Sequence, residues 1–350
     1  MLFYLLLMRT FLLIIIIFIS TICKSQTLGG NAIFNFLSQP NTAQLSALGG
    51  VNVSNISNDV GMVFQNPSLL RKEMHQQLNV SFNSFLAGIK NYSLTSAWHS
   101  NKYKTNIAIG INYFNYGSLT QTDVAGNILA NFKPNDYVVQ LSASKQHKEN
   151  WFYAATIKFI NSNYGQYKSN GIAIDVALAY VDSTNFLQAS VVIKNIGTQL
   201  KTYSGSNVKE ELPFDVQAGI TKRLAKAPLQ FSLTAHHLHR GNILYNDTTF
   251  KATEGDDSYK KKNYTIDKIF SHLIFSAQLF LSNKIEVTTG YNFLRRHDLN
   301  VYNEANNLNG FTFGIGVLTK KFHCRYSSGF YQKNMYHQLG LNLSWGNHLQ

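Results

Sequence analysis

Along most of this chain an oily residue stands at every second position, with a small or polar residue between. Gly171 to Val181 is the cleanest stretch. Ile172, Ile174, Val176, Leu178 and Tyr180 fall on one face, and Ala173, Asp175, Ala177 and Ala179 on the other. A period of two turns successive side chains to opposite faces of a strand, so one face is greasy and the other small or wet. The same alternation marks Ile107 to Tyr113, Leu229 to Thr234, Phe311 to Val317 and Leu339 to Trp345. It predicts about fourteen strands. They lie near 77–87, 91–99, 104–115, 137–146, 151–162, 170–181, 185–194, 214–223, 228–238, 270–281, 285–293, 309–318, 321–329 and 336–345. Lengths of about 9–12 residues suit a tilted strand crossing a bilayer.

The connections are sorted by length. Tight ones are expected around Lys102, Lys148, Asp182, Ala225, Asn283 and Lys320. Long ones are Gly117–Asp136, Asn195–Pro213, His239–Ile269 and Leu294–Leu308, and all fall on one side of the ladder. A soluble sandwich has no reason to sort its loops. A barrel in an outer membrane does, with termini and tight turns on one side and long loops on the other. An even strand count also lets the sheet close, which lipid demands because unpaired backbone groups there cost several kcal/mol each. The expected fold is therefore all-β: a transmembrane β-barrel of about 14 antiparallel strands with an N-terminal plug or hatch segment. Residues 1–25 read as a signal peptide, with Arg9 before the apolar run Phe11 to Ile19 and cleavage near Ser25–Gln26. Residues 26–75 read as the plug and 76–350 as the barrel. The plug is too polar to face lipid, carries Gly49-Gly50 and Asn66-Pro67, and predicts a short helix over Ala43 to Leu48.

Composition agrees. Hydrophobic residues make up 45% and charged residues only 14%, against roughly 25% charged in a soluble protein. Mean hydropathy is −0.13, too low for a helical membrane protein. Tyr and Phe gather at strand ends, as in Tyr113, Phe114, Tyr116, Tyr137 and Tyr291, which predicts interfacial girdles. The formal net charge of +13 is spread out, and its one dense run is Lys260–Lys262. That pattern predicts a solvated basic loop and attraction to anionic lipid or polysaccharide rather than nucleic acid. Loss of the signal removes Cys23 and leaves Cys324 alone, so no internal disulfide and no thiolate metal cluster is expected.

No catalytic constellation stands out, so neither enzyme activity nor a cofactor is expected. There is no Gly-x-Ser-x-Gly elbow, no phosphate-binding loop and no His-Glu-x-x-His. His236, His237 and His239 form the densest histidine group, but no carboxylate lies beside them in sequence. They are expected to mark a strand end, with no metal. Asp175 and Asp215 fall on inward faces as candidate lumen acids, and are expected to pair with lumen Arg or Lys. Asn66 and Pro67 are expected to fix a turn in the hatch.

Several segments, in order, carry a resemblance: Gly29 to Leu37, Ala47 to Gly50, Asn66 to Leu70, Tyr113 to Gly117, Thr122-Asp123 with Gly126-Asn127, Asp136-Tyr137, Lys194 to Gly197 and Leu212 to Gly219. From about residue 28 to residue 245, and more loosely beyond, the chain resembles the PorQ family, outer-membrane components of the type IX secretion system of Bacteroidota. The family usually has Ala where this chain has Ser68. The resemblance implies a barrel related to PorV and the long-chain fatty-acid transporters. It implies a non-enzymatic anchor for the surface protein PorZ, and through it PorU and PorV, in a complex that joins cargo to lipopolysaccharide. An anchor works through its loops, and Thr122, Asp123, Asn127, Asn195, Tyr203 and Asn242 are the docking candidates. The alternative is a transporter of fatty-acid-like hydrophobic solutes. It would show a continuous apolar pocket and an opening in the wall, whereas an anchor would show a filled lumen.

Overall fold

The computed structural model describes residues 32–244, 265–299 and 307–345. The expected signal peptide, Gly29 to Asn31, Lys260–Lys262 and Gly346–Gln350 lie outside the described residues. The strands are β1 (Gln77–Ser84), β2 (Lys90–Ser100), β3 (Thr105–Asn115), β4 (Leu119–Thr122), β5 (Ile128–Phe132), β6 (Asn135–His147), β7 (Trp151–Tyr164), β8 (Tyr167–Asp182), β9 (Leu187–Lys201), β10 (Asp215–Arg223), β11 (Leu229–Ala235), β12 (Leu273–Ser282), β13 (Ile285–Asn292), β14 (Phe311–Leu318), β15 (Phe322–Tyr331) and β16 (Asn334–Ser344). All except β4 and β5 form one closed barrel in which each strand pairs with its barrel neighbours in sequence. The seam joins β1 to β16 in continuous antiparallel register, from Gln77 opposite Ser344 to Ser84 opposite His337.

Every barrel strand expected from the alternation is present. The long connections all leave the same rim, where β3, β9, β11 and β13 end. Two details differ. The connection Gly117–Asp136 holds its own hairpin, β4 paired with β5. The expected connection Asn195–Pro213 is shorter, and Asn195 lies within the wall, because β9 continues to Lys201. A β-bulge explains the second difference. Ile174 pairs with Ile196 but Val176 with Ile193, so Lys194 and Asn195 together face the single residue Asp175. The extra residue shifts the alternation by one and mimics a strand end.

Burial follows the alternation. In β2, Asn91, Ser93 and Thr95 are buried while Leu94 and Trp98 are exposed. In β7, Thr156 and Lys158 are buried while Ile157 and Phe159 are exposed. The outer face is apolar and the lumen face mostly polar, the reverse of a soluble barrel. Aromatic rings ring the outer wall at both ends. Tyr92 packs on Phe82 and Tyr113 at the long-loop rim, and Trp151 meets Tyr180 at the short-turn end. Phe114 and Tyr116 are corrections to the expected girdle. Phe114 is buried in the lumen against Phe36, and Tyr116 turns in to bond Asp136.

Residues 32–76 fill the lumen. The expected short helix forms over Ala43–Ala47, and the Thr42 hydroxyl caps it by accepting from Leu45 N at 3.1 Å. Gly49 and Gly50 end it at φ of 92° and 91°, a left-handed conformation suited to glycine. Four apolar clusters hold the segment, one of them Val53 on wall residues Ala177 and Val192. Val60, Val63, Leu70 and Met74 pack on wall residues Ala97 and Ala108. Phe34, Phe36 and Phe64 pack on Phe114, Val138 and Ile160. Leu45, Leu48, Met62 and Leu69 pack on one another. The wall carries notches for this plug. A Cβ on Gly290 would stand 2.3 Å from Gly49 N, and one on Gly314 would stand 2.5 Å from the Ala47 Cβ. Both contacts are far below van der Waals distance, so only glycine admits the helix there. Gly290→Leu should therefore leave a closed barrel but dislodge the plug. Ion conductance across planar bilayers is expected to rise several-fold over the wild type, and unchanged conductance would refute the notch.

Candidate functional site

The polar lumen face needs partners, because an unpaired buried polar group costs about 1–3 kcal/mol. Hatch and wall supply them to one another. Thr312 Oγ1 donates to Ala47 O at 2.9 Å and Asn292 Nδ2 to Gly49 O at 3.2 Å. Gln230 Nε2 donates to Asn55 Oδ1 at 2.8 Å. Asn66 caps the turn Pro67–Leu69 by accepting from Ser68 N at 2.9 Å. Its amide also donates to Val53 O at 2.6 Å and to Ser190 Oγ in β9 at 3.2 Å. Asn66 thus fixes the turn that Pro67 opens and ties it to the wall.

Two charged knots lie in the same interface. Arg325 of β15 donates to Glu286 of β13 at 2.6 Å and reaches Asp59 of the hatch at 3.4 Å, with all three side chains buried. Lys158 of β7 pairs with Asp175 of β8 at 2.5 Å and donates to Asn195 Oδ1 at 2.9 Å. Asn195 N donates to Asp175 Oδ1 at 2.8 Å, and Asn195 Nδ2 to Pro213 O at 2.8 Å. The bulge turns Asn195 in toward Asp175 and Lys158, with Asn195 at φ 58°. Asp175 therefore has the lysine partner expected of it.

Asp215 has another set. It opens β10 at the long-loop rim, and its Oδ2 lies 3.2 Å from His237 Nδ1 while its Oδ1 lies 3.9 Å from His239 Nδ1. It is paired with imidazoles rather than with Arg or Lys, a correction to the expectation. The carboxylate that sequence adjacency failed to supply for the histidines arrives across the β10–β11 ladder. His236 Nδ1 lies 2.8 Å from His237 Nδ1. Burial and the neighbouring His237 push His236 down to about 3, so it is neutral. A relay of donors runs from the lumen to this rim. Lys194 Nζ donates to Gln65 Oε1 at 2.9 Å, Gln65 Nε2 to Gln217 Oε1 at 2.6 Å, and Gln217 Nε2 to Asp215 Oδ2 at 2.5 Å.

The docking candidates separate. Thr122 and Asn127 are exposed at the tip of the β4–β5 hairpin. Asp123 builds the tip, accepting from Ala125 N, Asn127 N and Asn127 Nδ2, each at 2.9 Å. The Asn127 bonds hold its carboxyl below the ordinary aspartate value. Around them Leu119, Val124, Ile128 and Leu129 are exposed beyond the wall, a cluster that the period-two signal misses because this hairpin lies outside the lipid-facing ladder. Asn195 is a correction, buried in the bulge rather than free in a loop. Tyr203 is another. It folds onto the lumen mouth, where its hydroxyl donates to Ser162 Oγ at 2.5 Å and its ring packs on Phe34 and Tyr164. Burial pushes its phenol up. Asn242 is half-buried beside buried Ile243 and Leu244 and accepts from Leu244 N at 3.3 Å. A cavity of about 20 Å³ remains between Leu37, Gln39, Phe64, Gln65, Lys158 and Lys194, room for about one water.

No family model and no curated protein matches the chain. Solved structures do. A TodX monoaromatic hydrocarbon channel, deltaS2 mutant, superposes on 86% of this chain and 96% of its own at a TM-score of 0.51 and 11% identity. The fold is that of an outer-membrane β-barrel. A FadL homologue of Pseudomonas aeruginosa covers 88% of this chain and 98% of its own at a TM-score of 0.48 and 8% identity. The outer-membrane protein Omp33 of Acinetobacter baumannii covers 79% of this chain and 100% of its own at 0.39 and 8%. At such identities the likeness carries architecture alone. In an outer-membrane barrel the long-loop rim is extracellular and the short-turn end periplasmic.

Breaking a buried ion knot by removing its cation leaves uncompensated carboxylates, at a cost of about 3–5 kcal/mol. Arg325→Met, which strands Asp59 and Glu286, should lose about that much in urea unfolding of the detergent-solubilised barrel. A loss below about 1 kcal/mol would show that the knot holds nothing.

Proposed function

We propose that this outer-membrane barrel is a plugged anchor that presents its extracellular rim to a surface protein. One observation carries the reading: the lumen is occupied by residues 32–76, hydrogen-bonded and ion-paired to the inner wall on strands spread around the barrel. A rigid, filled barrel suits a fixed platform, and the exposed apolar residues Val124, Ile128 and Leu129 on β4–β5 suit protein contact. The sequence resemblance supplies the finer reading. The partner is then a PorZ-like surface protein of the type IX secretion system, with PorU and PorV reached through it and cargo joined to lipopolysaccharide. The barrel performs no chemistry of its own in this reading and uses no cofactor.

A second reading is a channel for fatty-acid-like hydrophobic solutes. The fold likeness favours it, since the structure aligned at a TM-score of 0.51 is described as a monoaromatic hydrocarbon channel. Taken alone, the comparisons lean this way; the packed lumen and the resemblance weigh for the anchor. As a channel, the barrel would have to move its plug against the polar network described above.

Deletion of the gene separates the two. The anchor reading expects surface cargo to detach while uptake of a radiolabelled long-chain fatty acid is unchanged. Intact cargo attachment with lost uptake would establish the channel instead. Val124→Ser with Ile128→Ser and Leu129→Ser should cut co-purification of the surface partner by about tenfold while the barrel stays folded. Undiminished co-purification would remove the hairpin from the interface.

A further inference from the structure

Asp215, His236, His237 and His239 crowd one spot at the extracellular ends of β10 and β11. The ligand-capable atoms of Asp215, His236 and His237 all lie within 4.8 Å of one another. Specific separations are 2.8 Å for His236 Nδ1 to His237 Nδ1, 3.2 Å for His237 Nδ1 to Asp215 Oδ2 and 3.9 Å for His239 Nδ1 to Asp215 Oδ1. Zinc–nitrogen bonds of about 2.0–2.1 Å at tetrahedral angles set ligand atoms about 3.3 Å apart. The three separations bracket that value.

Protons alone leave the cluster unsatisfied. His237 Nδ1 can hold one proton, yet it faces both His236 Nδ1 and the Asp215 carboxylate. Among the described residues His239 Nδ1 is buried with no hydrogen-bond partner, and His236 is only 2% exposed. Meanwhile the surroundings orient the ligands. His237 N and Gln217 Nε2 donate to Asp215 at 2.6 and 2.5 Å. His236 N donates to His272 O at 2.9 Å, and His272 Nδ1 donates back to His236 O at 2.8 Å. His239 packs edge-on against Phe214. His237 holds a left-handed φ of 55°, a sparsely populated conformation for a non-glycine residue. Such oriented ligands and backbone strain are familiar supports of a functional centre.

We propose that Asp215, His236 and His237 bind one borderline divalent cation of the zinc class at the extracellular rim, with His239 beside them on the Asp215 carboxylate. Imidazole donors with a single carboxylate select such an ion over Ca²⁺ or Mg²⁺, which need more oxygen ligands. Arg240, Arg295 and His272 also face the cluster and oppose a weakly held cation. His237 is part-exposed, which opens a path from outside. The bound ion ties the start of β10 to the segment that follows β11. It therefore fixes residues 236–244 of the longest loop, and through Asp215 it meets the last link of the relay from the hatch.

The test uses untagged, full-length barrel in detergent, stripped with EDTA and dialysed against Zn²⁺ alone. One Zn²⁺ per barrel by elemental analysis is expected, undisplaced by excess Mg²⁺. Co²⁺ in its place should give the intense visible bands of a four-coordinate site. His237→Ala and the double variant with His239→Ala should weaken Zn²⁺ binding by about tenfold or more. Heat-modifiable migration on gels verifies that each variant is a closed barrel. A folded wild type that takes up no stoichiometric Zn²⁺ overturns the site. So does a folded double variant that binds as tightly as the wild type.

Discussion

Hydrocarbon offers a peptide group no partner, and this constraint governs the whole molecule. It requires that every wall amide facing lipid find its bond in a neighbouring strand. The ladder obliges by closing β1 on β16. Once closed, the wall creates the same demand on its inner side. The lumen face is rich in Asn, Gln, Ser and Thr that no longer meet bulk water, and the hatch answers with exposed carbonyls at its helix end and turns. Thr312 and Asn292 reach Ala47 O and Gly49 O, while Asn66 and Ser190 share Val53 O. The plug and wall are two halves of one hydrogen-bonding system.

This fold was legible in the sequence because a membrane wall repeats one local rule. Alternation of Ile, Leu and Val with small or polar residues gives both the strands and their facing, and loop lengths give the orientation. The rule failed where the backbone broke period. At Lys194 and Asn195 two successive residues turn inward, so the apolar phase slips and β9 reads as ended. The β4–β5 hairpin escaped for another reason. It lies beyond the lipid, so neither of its faces needs to be consistently greasy, and Leu119, Thr122, Ile128 and Leu129 are all exposed.

The site residues were harder to read, because their partners meet across strands rather than along the chain. Asp175 was legible as an inward acid, but Lys158 as its partner depends on the β7–β8 register. The histidine group was visible, but Asp215 reaches it only through the pairing of Ala218 with Ala235 and the turn that follows. A useful signal was present in outline. Asp215 opens one strand and His236 follows the end of the next, and antiparallel neighbours bring such positions to the same rim.

The seam between the first and last barrel strands has a bearing on assembly. Those strands are the most distant pair in sequence, so their meeting closes the longest loop in the barrel and carries the largest closure entropy. The plug is covalently continuous with β1 and seated against β13, β14 and β16 through Gly290, Gly314 and Gln338. Shutting the seam is thereby the same event that encloses the plug. A chain whose N-terminal segment is slow to settle would hold open edges of β1 and β16 toward its insertion machinery for longer.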